Sequence, residues 1–238
     1  MLLWFIASFI AFFVKGVCGF ANTLVFTSML SFGTANIEIT PVDLLMGAPP
    51  NLIMAWRGRK RLQLKVVLPL VALIVAGDAV GALLLKSVNV SAIRVVFGVA
   101  VIAVAVQMLI RQYRPSQKKA SRIVLALIGL LSGVMSGLFG VAALMVAYVS
   151  RMTENSEAMK ANISAVFMAD NIFRLILYSF MGIITLSSLK TALLLLPAAL
   201  LGLFVGLKCS SRLKESSVRL IVVLLLIVSG LVLIAKNV

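Results

Sequence analysis

Two basic side chains stand inside apolar stretches of the sequence. Lys15 follows Phe12-Phe13-Val14 and precedes Gly16; Arg174 follows Asn171-Ile172-Phe173, four residues after Asp170. A charge at the centre of a bilayer is costly, so it faces a cavity or a partner. Either cation suits an oxyanion, and a guanidinium can hold one through two parallel hydrogen bonds. Each also has a plainer use: Arg174 can pair with Asp170 on one helix face, and Lys15 can stretch toward the membrane surface. Asn51, Asn162 and Asn171 are neutral polar residues that line a cavity or satisfy helix–helix hydrogen bonds. Asp78, between Gly77 and Gly81, and Asp170 are candidates for coupling proton movement to anion movement. The alternative for both is a salt bridge that neutralises Lys15 or Arg174.

Glycines flank these charges in a repeated pattern. Gly16-Val17-Cys18-Gly19-Phe20-Ala21 and Gly137-Leu138-Phe139-Gly140-Val141-Ala142 both read Gly-x-x-Gly-x-Ala. Glycine permits a tight turn and a close approach of ligand to backbone. A helix restarting after such a turn offers free N–H groups and the positive end of its dipole, a ready anion site. That site is expected around Gly19 and Phe20, with Asn22 and Thr23 as further donors. Its counterpart around Gly140 and Val141 offers backbone with few side-chain donors. The same glycines also serve close helix packing, and the pattern leaves both uses open. The substrate-binding candidates are therefore Lys15, Gly19, Phe20, Asn22, Asn51, Gly140, Val141, Asn171 and Arg174.

The elements that must position these residues are membrane helices. Of 238 residues, 62% are hydrophobic and 12% charged, far from a soluble domain. One core could not hide so much apolar surface. With Lys+Arg 22 and Asp+Glu 7, the net charge is +15; the basic residues cluster in short loops between apolar runs, as cytoplasmic loops do, which argues against nucleic acid as a partner. Histidine is absent, so no His-ligated metal site and no His general base are expected. Cys18 and Cys209 cannot build a metal site alone, and no cofactor is expected. Met1-Leu2-Leu3-Trp4 lacks the positive start of a signal peptide.

Apolar segments fall at 2–31, 41–56, 66–86, 92–110, 123–150, 158–182, 187–208 and 217–236. Most match the roughly 20 residues of a spanning helix. Segments one and five are too long for one straight span and are interrupted by glycine. Segment two carries Pro49-Pro50, which predicts a break. The segments repeat in order: the glycine motifs; Pro50-Asn51-Leu52 against Asp170-Asn171-Ile172; Leu68-Pro69 with Gly77/Gly81 against Leu196-Pro197 with Gly202/Gly206; Ser91-Ala92-Ile93-Arg94 against Ser216-Ser217-Val218-Arg219. The expected organisation is a first transmembrane repeat over 1–113 and a second over 114–238. If every segment spans once, basic residues divide without clear bias. If segments one and five dip in and return, the basic loops after segments two, four, five and seven share one side. Lys160, at the start of segment six, is counted with those loops. The predicted fold class is an all-α polytopic membrane protein of two four-segment halves, inverted relative to each other, with broken or re-entrant first and fifth segments. Eight plain helices are the alternative.

The duplicated layout and the motifs Lys15-Gly16-Val17-Cys18-Gly19-Phe20-Ala21-Asn22 and Ser136-Gly137-Leu138-Phe139-Gly140-Val141-Ala142 resemble the sulfite exporter TauE/SafE family, over nearly the whole chain. Members commonly carry more glycine after the second motif Gly than Phe20-Ala21-Asn22 and Val141-Ala142-Ala143 provide. The resemblance implies transport of sulfite, organosulfonates or related carboxylates across the bacterial cytoplasmic membrane. The residues themselves suggest a secondary transporter working by alternating access, since no Gly-x-x-x-x-Gly-Lys-Ser/Thr motif for ATP is present. An anion channel and a non-transporting assembly subunit are the rivals. No nucleophile–base pair or metal cluster supports an enzyme. The expected partners are a small anion and the lipid bilayer; a homodimer stays open.

Overall fold

A computed structural model of the chain describes residues 1–30, 34, 36–84, 122–139, 143–153 and 155–235, with scattered positions between 95 and 110. The helices are α1 (Leu2–Cys18), α2 (Asn22–Leu30), α3 (Asn36–Arg57), α4 (Leu64–Leu84), α5 (Arg122–Phe139), α6 (Ala143–Met152), α7 (Ser156–Phe180), α8 (Leu186–Ser210) and α9 (Glu215–Ala235), with one 3-10 turn at Arg59–Arg61. No strand occurs among the described residues. Leu64–Gly81, Glu157–Phe180 and Leu186–Ser210 are long and apolar enough to cross a membrane. Segment four, 92–110, lies largely outside the described residues.

The first long segment is two helices. α1 ends in a left-handed Gly19 (φ 93), whose N–H returns to Lys15 O at 2.6 Å. Ala21 is also left-handed (φ 74), and its carbonyl accepts the Val25 N–H of α2. Two left-handed residues within three turn the chain sharply, and only Gly19 does so without a side-chain penalty. Segment five likewise comprises two helices, α5 and α6; residues 140–142 between them lie outside the described residues.

Segment two departs from expectation. α3 runs unbroken through Pro41, Pro49 and Pro50. Prolines remove N–H donors, but the carbonyls they strand can be satisfied by neighbouring helices and side chains, so the helix persists. Lys160 departs as well. α7 starts at Ser156, capped by Asn155 accepting from Ala158 N at 2.8 Å, so Lys160 is buried in the helix rather than at a membrane-surface end.

The halves interlock. α1 makes its most extensive contact with α8, α5 with α4, and α3 with α7. Glycines allow the first two pairs to approach backbone to backbone. A methyl group on Gly77 would lie 2.5 Å from Leu130 O and 2.6 Å from Val134 N; one on Gly202 would meet Phe9 O and Phe13 N. Under the motif alignment Phe9, Phe13 and Gly202 are the counterparts of Leu130, Val134 and Gly77, so one contact is built twice. Two apolar clusters result. One joins Val17, Phe20, Leu70, Ile74, Met145 and Ile163; the other joins Phe12, Phe26, Ile39, Met46, Leu195 and Leu203.

Candidate functional site

The site is built where α1 stops, α2 starts, and the α3–α7 pair passes alongside. α3 presents Asp43, Gly47 and Asn51, each four residues from the next and so on one face. α7 presents Phe167, Asn171 and Arg174 on a face by the same rule. With Lys15, Asn22 and Thr23 they line a cavity of about 10 Å³, space for about one water. Gly47 makes the packing possible: a Cβ there would lie 3.2 Å from Asn171 Nδ2 and 3.9 Å from Asn22 Nδ2.

A hydrogen-bonded chain crosses the first half of the site. Lys15 Nζ donates to Asn22 Oδ1 at 2.9 Å. Asn22 Nδ2 donates to Asp43 Oδ1 at 3.0 Å, and Thr23 Oγ1 donates to Asp43 Oδ2 at 2.5 Å. Lys15 also stands 5.2 Å from the centre of the Phe167 ring. Its side chain is 1% exposed, so it does not reach the membrane surface.

The second half of the site centres on Arg174. Its Nη1 is 3.7 Å from Asp170 Oδ2, and Nη2 donates to Tyr178 Oη at 3.3 Å. The structural pair with Asp170 therefore exists, yet among the described residues Arg174 Nε is buried without a hydrogen-bond partner, as is Asn51 Oδ1. Ser136 Oγ donates to Asp170 Oδ1 and Oδ2 at 3.0 and 3.2 Å. Asp78, wholly buried on α4, stands against Asp170 beside Ser136 and Arg174. With the Ser136 hydroxyl hydrogen-bonded to Asp170, the oxygens of Asp78 have no hydrogen-bond partner among the described residues.

The expected residues thus divide. Lys15, Asn22, Asn51, Asn171 and Arg174 meet at one cavity. Asp78 and Asp170 meet each other behind it. Gly19 spends its N–H on capping α1, and Phe20 enters the apolar core; neither lines the cavity, because the turn points its small and apolar residues at α7 and the core. Asn162 lies elsewhere, accepting from Gln63 N at 2.8 Å and donating to Ala158 O at 2.7 Å, a helix-to-loop tie. Gly140 and Val141 lie outside the described residues. Asp43 and Gly47 belong to the cavity without having been anticipated. The signal was present: Asp43, Gly47 and Asn51 repeat every four residues, which is one helix face.

Two cations, three asparagines and one carboxylate thus meet at one small cavity in an apolar helical protein. The sequence profile of the family described as Sulfite exporter TauE/SafE matches residues 4–233. The chain belongs to the sulfite exporter TauE/SafE family. No curated protein and no solved structure matches it. Membership makes this TauE/SafE chain one of a family of membrane transporters for anion export, in keeping with its apolar helices.

Proposed function

We propose that the chain is a secondary transporter that exports small anions, namely sulfite, organosulfonates or related carboxylates, as a multi-pass protein of the bacterial cytoplasmic membrane. One observation carries the reading: Lys15 and Arg174, from opposite halves of the sequence, line a single buried cavity with Asn22, Asn51 and Asn171. Beyond its pairing with Asp170, Arg174 keeps a buried donor, Nε, without a partner among the described residues, and a buried donor is costly unless an acceptor meets it. In this proposal Arg174 and Lys15 bind the oxyanion charge, while the asparagines orient it. Gly140 and Val141 lie outside the described residues, and Gly19 and Phe20 hold the turn from which α2 starts.

A cavity of about 10 Å³ does not admit an oxyanion unless its walls separate. Those walls are α3 from one half and α7 from the other, so the opening movement is of one half against its counterpart, as alternating access requires. Asp78 and Asp170 serve as the proton carriers. Two adjacent carboxylates share a proton readily, and a proton on Asp170 weakens its hold on Arg174, freeing that charge for substrate.

The test is a thermal-unfolding screen of purified protein against sulfite, thiosulfate, small sulfonates and carboxylates, followed by flux in proteoliposomes. A ligand of the folded form raises the melting temperature by mass action. A carrier gives saturable uptake with counterflow. Current without exchange stimulation would make the protein a channel, and no flux at all would make it an assembly subunit.

A further inference from the structure

Asp43 already holds the donors that an oxyanion would use. Its two oxygens accept from Asn22 Nδ2 and Thr23 Oγ1, both in the first turn of α2, where the helix dipole favours negative charge. The carboxylate is 5% exposed and lines the same cavity as Lys15 and Arg174. Lys15 is bridged to it through Asn22 rather than paired with it directly. From α7, Arg174 lines the same cavity as this carboxylate; the charged residues of α8, which also packs on α3, are the exposed Lys190 and Lys208.

Charge balance makes this arrangement consequential. Lys15 and Arg174 oppose Asp43 and the Asp78–Asp170 pair, which holds one negative charge when it shares a proton. With that shared proton the set is neutral when no ligand is bound. An added anion in so buried a place is unbalanced unless a carboxylate withdraws or is neutralised. The cavity is also too small to add an anion beside Asp43. Arg174 Nε, a buried donor without a partner among the described residues, marks the side from which a ligand is approached.

We infer that Asp43 is a built-in competitor for the transported anion. Its carboxylate occupies Asn22 and Thr23 until an oxyanion enters and takes those donors. This rests on the anion-transport reading and adds to it the residue that sets how readily the site accepts a ligand. A scaffold that merely orients Asn22 and Thr23 would behave oppositely: its neutralisation would weaken binding.

The experiment measures sulfite and methanesulfonate binding by calorimetry to wild type, Asp43→Asn and Asp43→Glu, with thermal unfolding as the folding control. Asp43→Asn is expected to bind at least about tenfold tighter than wild type, and Asp43→Glu, which keeps the charge, to show no such gain. Equal or weaker binding by Asp43→Asn, with wild type binding, overturns the competitor and leaves the transport reading standing. Binding by Asp43→Asn alone supports both. If neither folded protein binds either anion, the transport reading fails and this inference with it. If Asp43→Asn does not fold, Asp43→Ser replaces it; failure of both to fold makes the carboxylate a structural requirement and overturns the competitor.

Discussion

Arg174 does two jobs with one guanidinium: it neutralises Asp170 at 3.7 Å and leaves Nε unused at the cavity. The jobs separate by substitution. Arg174→Ala abandons a buried Asp170 and is expected to cost about 3–5 kcal/mol of stability, while lowering affinity for the anion at least about tenfold. Arg174→Gln combined with Asp170→Asn removes the orphaned charge. It should restore most of the melting temperature and still show no ligand-induced shift in the thermal-unfolding screen. Asn162 is the control. Asn162→Ala loses the tie to Gln63 N, should cost about 1–2 kcal/mol, and should leave anion affinity unchanged by calorimetry. At this scale the sequence made intramembrane charge legible, since Lys15, Asp78, Asp170 and Arg174 all prove buried. Asp43 escaped because it stood near the edge of the apolar run 41–56. α3 begins at Asn36, so Asp43 sits two turns inside a helix.

Glycines decide how the helices meet. A Cβ on Gly16 would lie 2.5 Å from Leu203 O and 2.8 Å from Leu207 N. Both are backbone atoms that cannot swing aside, so Gly16→Ala should drive α1 and α8 apart at a cost of about 1–3 kcal/mol. Gly19→Ala meets a different obstacle. Its left-handed backbone (φ 93) and the Lys160 Cγ that a Cβ would approach to 2.7 Å predict a loss of about 1–2 kcal/mol. Thermal unfolding in detergent checks both. Lys160 also donates to Ser210, which in turn donates to Val17 O at 3.1 Å, so a cation sits at the negative end of α1. The break after Cys18 was legible from glycine spacing. The continuity of α3 through Pro49 and Pro50 was not, because whether stranded carbonyls find other partners depends on neighbouring helices.

Across the whole molecule, the first helix of residues 1–113 packs on the fourth helix of 114–238, and the first of 114–238 on the fourth of 1–113. α1 packs on α8, α5 on α4, and Gly202 and Gly77 meet equivalent atoms. Neither half then buries its own glycine face. Separately expressed 1–113 and 114–238 should be unstable alone and should co-purify through a tag on either one when expressed together. Recovery of one half, folded and monomeric, without the other would refute this. The interlock also explains why the cavity draws Lys15, Asn22 and Asp43 from one half and Asn171 and Arg174 from the other.

Composition and hydropathy determined that this is a helical membrane protein. Glycine spacing determined where the first long segment breaks, and the motifs of the two halves pointed to the family. These are local properties, set by transfer of apolar residues out of water and by the backbone freedom of glycine. Tertiary structure alone decided that Asp43 takes the donors of Asn22 and Thr23, that Asp78 meets Asp170, and that Phe20 turns into the core. Each depends on which helix faces lie together, and residues far apart in sequence carry no record of that in their own spacing.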